Sequence, residues 1–172
     1  IRKAQAEGFR IHAIWDPAEA ERLFGAQAAQ YLRDVEALAD GFRLVDFTDH
    51  AAYADAIRAA VRRADADHVW HVGSEESMML AYEVADELGK AVNSPRSVAL
   101  LNDKLAMRTL LRDKGISAVR FAIAEHWSEV AGLLAEFTLP VVVKPTTLSA
   151  SRGIYLLTDP ADLPAWGETL EA

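Results

Sequence analysis

Two periods of apolar and polar residues alternate along the chain, and each change of period marks an element. Residues 1–8 read as the last turns of a helix, with Gly8 as its stop. An apolar stretch at 9–15 predicts a strand. Residues 18–39 are alanine-rich and amphipathic, a helix with a break at Gly25. The run FRLVDF at 42–47 alternates at period two and predicts a second strand. Tyr53, Ile57 and Val61 form one stripe at i, i+4 and i+8 of a helix over 50–64. Strands follow at 67–72 and 90–93, around a helix over 78–88 that Gly89 ends. Ser94-Pro95 starts the next helix, by cap and fixed φ; it continues through 102–108 to near Gly115, burying Leu101, Leu105, Leu110 and Leu111. A strand at 116–124 and a helix at 126–137 come next, with Val130, Leu133, Leu134 and Phe137 inward. Two apolar runs at 140–157 make a hairpin, and Asp159-Pro160 starts a last helix. This order is α/β: a doubly wound parallel sheet over 1–92, its first strand missing, then an α+β part over 93–172. The chain opens without methionine, and a doubly wound domain places a strand before its first helix. The sequence therefore reads as a segment of a longer polypeptide.

Composition narrows the chemistry. Hydrophobic content of 51% with 26% charged residues is that of an ordinary globular protein. A net charge of −8 argues against a nucleic-acid or anionic-membrane partner, which needs excess lysine and arginine. It leaves room for a nucleotide, which arrives with Mg²⁺ and needs only a local basic pocket. The chain has no cysteine, so disulfides, thiolate metal sites and cysteine nucleophiles are excluded, and a cytoplasmic setting is expected. No apolar run approaches the length of a membrane span.

Several polar residues have a structural and a functional reading. Asp16-Pro17 follows the first strand; an acid there can hold a ribose, but Asp16 as N-cap with Pro17 at the first helical position is the better account. His68 and His71 sit three apart, on opposite faces of a strand, which is poor geometry for one metal. Ser74 and Glu75 join a strand to a helix. Ser74 suits an N-cap and Glu75 the helix N-terminus; a glutamate at the carboxyl ends of parallel strands could also bind the ammonium of an amino acid.

The richest chemistry lies at 140–157. Three valines run into Lys144, Pro145 stops the run, and a small-residue loop leads to Gly153. A cation at a strand end, beside loop amides, suits a polyphosphate; a solvated lysine is the plainer alternative. About forty residues upstream stands Asn102-Asp103-Lys104-Leu105-Ala106-Met107-Arg108. Lys104, Arg108 and Arg112 line one helix face at i, i+4 and i+8, which a solvated basic face also explains, and Arg108 and Arg112 are read as surface or salt-bridge residues. This pairing, with Ser149-Ala150-Ser151-Arg152-Gly153 after the second lysine, resembles the front half of an ATP-grasp ligase over roughly 92–157. Leu148 and Ala150 stand where that family often carries glycine, which restricts the backbone of a closing loop.

The resemblance implies a pre-ATP-grasp domain over 1–92 and the N-terminal portion of an ATP-grasp domain over 93–172. It implies ATP and Mg²⁺ as cofactors, with Lys104 and Lys144 as phosphate clamps and Ser149, Ala150, Ser151, Arg152 and Gly153 as the lid. The implied reaction activates a carboxylate as an acylphosphate for attack by an amine, and the D-K-x-x-M-R context is most similar to the branch that ligates amino acids. The partners would be small-molecule carboxylates and amines, and a homodimer, since the family is often dimeric. Ser74 and Glu75 would border the acceptor. The paired acidic Mg²⁺ ligands of the family have no counterpart in this segment and no general base is identifiable, so the segment alone is expected to bind ATP weakly and to be inactive. A non-catalytic nucleotide-binding or regulatory module of this fold, and a plain dinucleotide-binding domain, are the alternatives.

Overall fold

The computed structural model describes residues 1–73, 75–146 and 152–171. It divides into two compact units, Ile1–Val98 and Ala99–Ala172.

In the first unit, α1 (Arg2–Ala6) leads through Gly8 to β1 (His12–Trp15). Gly8 has a φ of 88°, a turn that side chains resist. Asp16 then caps α2 (Pro17–Phe24), accepting from Ala18 N at 2.7 Å, with Pro17 at the first helical position. Gly25 breaks the alanine-rich stretch as expected, and α3 (Ala28–Leu38) follows after a 3-10 turn. β2 (Gly41–Leu44) pairs with β1 in parallel, His12 opposite Gly41 and Trp15 opposite Leu44. At Gly41 a Cβ would meet the ring of His12, so a larger residue there would require that ring to shift. α4 (His50–Ala64) lays Tyr53, Ala54, Ala56 and Ile57 against Val45, and Ala81 and Val84 of α5 (Glu75–Glu87) complete this core. Stacked Phe47 and Tyr53 rings lie 4.1 Å apart at its edge.

The structure is α/β, but the expected doubly wound sheet is reduced. Among the described residues the parallel pairing is β1–β2 and one bridge, Val69 with Ala91, fixed by Val69 N donating to Lys90 O at 2.8 Å. The strands expected at 67–72 and 90–93 do not extend beyond it. A strand exists only through its partner's hydrogen bonds, and Trp70 and Val72, at 73% and 75% exposure, have no neighbour to form against.

In the second unit, one expected helix is two. α6 (Pro95–Asn102) begins in the first unit, with Ser97 N donating to Ser94 Oγ, and α7 (Lys104–Asp113) starts afresh after Asp103. Asp103 cannot both cap a helix and continue one: its carboxylate accepts from Leu105 N at 2.9 Å and Ala106 N at 3.0 Å. Leu101 and Leu110, expected inside, are exposed. Residues 116–124 form no strand, and Ile116, Val119 and Ile123 are exposed. The helix expected at 126–137 is a 3-10 turn, one turn of α8 (Val130–Leu133) and a further 3-10 turn. Gly132 lies in its middle, where glycine disfavours a longer helix. The hairpin forms as read: β3 (Val141–Val143) runs antiparallel to β4 (Tyr155–Leu157). α9 (Leu163–Glu171) follows a turn capped by Asp159. Leu157, Leu163 and Trp166 form the core here, with Trp127, Val130, Leu134, Val141 and Val143 packed around it.

Candidate functional site

The site is built from the start of α7 and the two strands of the hairpin, all within the second unit. The Asp103 cap sets where α7 begins, and so places Lys104 at its first position. The sequence pairs the two lysine segments by spacing alone; the structure pairs them in space. Lys104 Nζ donates to the carbonyl of Thr146 at 3.2 Å, bridging 42 residues of chain. Thr146 lies two residues beyond Lys144, so the first lysine reaches the point where the second lysine's strand runs into its loop. An ammonium has three donors, and this bond uses one.

Lys144 directly follows β3 and is half-buried. On the other side of the loop, Gly153 adopts a φ of 67°, which glycine alone tolerates readily. Its carbonyl accepts from Trp166 Nε1 at 3.2 Å, tying the start of the second strand to the core. Arg152 is exposed. Ser149, Ala150 and Ser151, the body of the expected lid, lie outside the described residues.

One feature of this region went unread in the sequence. Val142 and Leu156 are register partners, and both point away from the core, at 58% and 57% exposure. Val141, Val143 and Leu157 pack inward. The hairpin therefore has an exposed apolar face, and the alternation that puts Val142 on it continues to Lys144. The period-two signal was present, but three consecutive valines hide which of them is outside.

The other expected contributors belong to the first unit. Glu75 is the first residue of α5, and Ser74 lies outside the described residues. At the end of the bridging segment, His71 Nε2 is 3.0 Å from Ser77 Oγ, while its Nδ1 is buried without a hydrogen-bond partner. Burial lowers the His71 pKa and favours the neutral ring. His68 is exposed, as expected for histidines on opposite faces. Among the described residues no three His, Asp or Glu side chains gather where a metal ion could sit. The two lysines and the loop entrance form a cationic strand end beside an apolar face, an arrangement able to hold an anion attached to a flat apolar group.

No family model matches the chain. The large chain of carbamoyl phosphate synthase from Mycobacterium sp. (strain JLS) is 26% identical over 116 residues, 66% of this chain and 10% of that protein. An L-amino acid ligase from Bacillus licheniformis superposes with a TM-score of 0.64 at 18% identity, covering 99% of this chain and 38% of the ligase. The biotin carboxylase domain of 2-oxoglutarate carboxylase from Hydrogenobacter thermophilus, solved with MgADP and bicarbonate, superposes with a TM-score of 0.63 at 18% identity, over 95% of this chain and 35% of that domain. The chain thus spans less than two-fifths of each of these solved structures. The fold of this chain is the fold that these two proteins contain over that part of their length.

Proposed function

We propose that this chain is the nucleotide-binding front portion of an ATP-dependent carboxylate–amine ligase that uses an amino acid as a substrate. The observation that carries the reading is the bond from Lys104 Nζ to Thr146 O, which brings two separate cationic segments to one loop entrance. The fold shared with an L-amino acid ligase over 99% of the chain supports the substrate class.

In this reading Lys144 and Lys104 hold the phosphates of ATP. Carboxylate activation brings negative oxygens together, and fixed cations lower that barrier by electrostatic stabilisation. Val142 and Leu156 provide an apolar bed for the base, on the side to which alternation assigns Lys144. The Ser149–Gly153 lid that the ATP-grasp resemblance implies would keep water from the acylphosphate. Bound Mg²⁺ supplies neutralisation of phosphate charge. The described residues offer no ligand cluster for it, so no step is assigned to a protein-held metal.

The test is Lys144→Ala, with Mg-ADP binding to the full chain followed by NMR titration. Affinity falls at least tenfold, since a charged hydrogen bond is worth about 1.5–3 kcal/mol, while the far-UV circular dichroism stays that of the parent. Unchanged Mg-ADP affinity in a folded Lys144→Ala protein would overturn the function.

A further inference from the structure

The three basic side chains on one face of α7 have different surroundings. Lys104 reaches the Thr146 carbonyl. Arg112 Nε bonds Asp113 Oδ1 at 3.1 Å, and its guanidinium lies 5.2 Å from the centroid of the Phe121 ring. Arg108, one turn from each, is half-buried, and among the described residues its side chain makes no ion pair and no hydrogen bond.

Its neighbours on the helix deepen the imbalance. The residues three and four positions away are Lys104, Leu105, Leu111 and Arg112, and none carries a negative charge. Like charges at i, i+4 oppose helix formation, and a guanidinium stays charged at any physiological pH. A half-buried arginine between two cations on its own helix, with no ion pair among the described residues, is unfavourable in the free chain and becomes favourable when an anion arrives. The guanidinium also presents a planar fork that fits two oxygens of one phosphate, which an ammonium cannot do.

We propose that Arg108 is a further oxyanion ligand of this site, binding two oxygens of the polyphosphate alongside Lys104. The inference rests on the nucleotide reading above and adds to it a residue that neither lysine motif contains. Lys104 anchors the loop entrance, and Arg108 extends the cationic strip one helical turn along α7.

The experiment follows the Arg108 Nε–Hε resonance of the full chain while inorganic tripolyphosphate is added, and repeats the affinity measurement on three variants. The wild-type resonance shifts on saturation. Arg108→Gln weakens tripolyphosphate about tenfold and flattens the dependence of affinity on salt, because one exposed charge contact is gone. Arg108→Lys recovers only part of the loss, and Arg112→Gln binds as the parent does. Parent-like affinity in Arg108→Gln, or an Arg108→Lys protein equal to the parent, overturns the bidentate contact. A resonance that moves with acetate and not with tripolyphosphate overturns the assignment to phosphate. If Arg108→Gln fails to fold, the wild-type resonance decides alone, and a resonance indifferent to tripolyphosphate refutes the proposal. Loss of binding in Lys144→Ala with none in Arg108→Gln refutes this inference and leaves the nucleotide reading standing; no loss in either refutes both.

Discussion

Asp16 is buried, and both of its oxygens accept hydrogen bonds. Oδ1 accepts from Ala18 N at 2.7 Å and Glu19 N at 3.4 Å, and Oδ2 accepts from Phe47 N at 3.0 Å. The cap was legible in Asp16-Pro17, and it leaves no oxygen lacking a partner for a ribose. The bond to Phe47 was not legible, because it joins residues 31 apart through the parallel pairing of β1 and β2. Asp16→Ala removes the cap and orphans the Phe47 amide, a loss of about 2–3 kcal/mol, and a urea melt reads it; a change below about 0.5 kcal/mol would contradict the double role. His71, whose spacing from His68 argues against a shared metal, is a packed histidine. Burial lowers its pKa from the ordinary value near 6.5. Between the lowered native value and 6.5 the unfolded chain binds a proton that the native chain does not, so stability is full above this window and falls as pH drops through it. Ser77 faces Nε2, and the Glu19 carboxylate lies beside Gly73, two residues on. Backbone and side-chain hydrogen bonds hold Asp40 and Asp46 below the usual carboxylate range, so neither titrates in this window. Thermal melts at pH 7.5 and 5.5 should differ more for the parent than for His71→Gln, by less than about 1 kcal/mol because the ring is partly solvated; parallel curves would refute the assignment.

At the scale of elements, local signals were read correctly where one residue decides the outcome. Gly25 breaks a helix, Asp159 caps the turn after it, and Pro140 with Gly153 brackets a hairpin; the Asp103 cap, which splits α6 from α7, was missed. They failed where the outcome depends on a distant partner. Residues 67–72 and 116–124 have the apolar content of strands, but their ladders need a neighbouring strand that the described chain does not supply. Helix α9 shows packing the sequence could not reveal. Gly167 sits directly against the Trp127 indole, which a Cβ would overlap. Trp127 belongs to the packing around Leu157, Leu163 and Trp166. Alanine is the better helix former by about 1 kcal/mol. Against this, forcing a methyl into a rigid ring costs about 1–3 kcal/mol. Gly167→Ala should therefore lower stability, by up to about 2 kcal/mol, in a thermal melt. A gain in stability would mean that the indole moves aside freely.

The whole molecule carries two separate cores, one around Tyr53, Ile57 and Val84, the other around Leu157, Leu163 and Trp166. No described helix is long and apolar enough to cross a membrane. The candidate phosphate ligands Lys104, Arg108, Lys144, Arg152 and Gly153 all belong to the unit with the second core. The sequence made this legible through the lysine spacing, while the core that supports the hairpin depends on side chains scattered from Trp127 to Trp166 and was only partly foreseen. Leu157 is wholly buried at the centre of that core and belongs to β4, the strand that sets Leu156 opposite Val142 of β3. Truncating it leaves a cavity, and a buried Leu→Ala change costs about 2–5 kcal/mol. Because each core draws on its own unit, the damage should stay within one of them. Hydrogen exchange on Leu157→Ala is expected to accelerate across β3, β4 and α9, and to leave β1, β2 and α4 protected as in the parent. The same variant should lose Mg-ADP binding, since the hairpin that presents Lys144 is loosened. Exchange that rises equally in α4 would show one cooperative fold, and retention of Mg-ADP binding with an unprotected hairpin would remove the hairpin from the site.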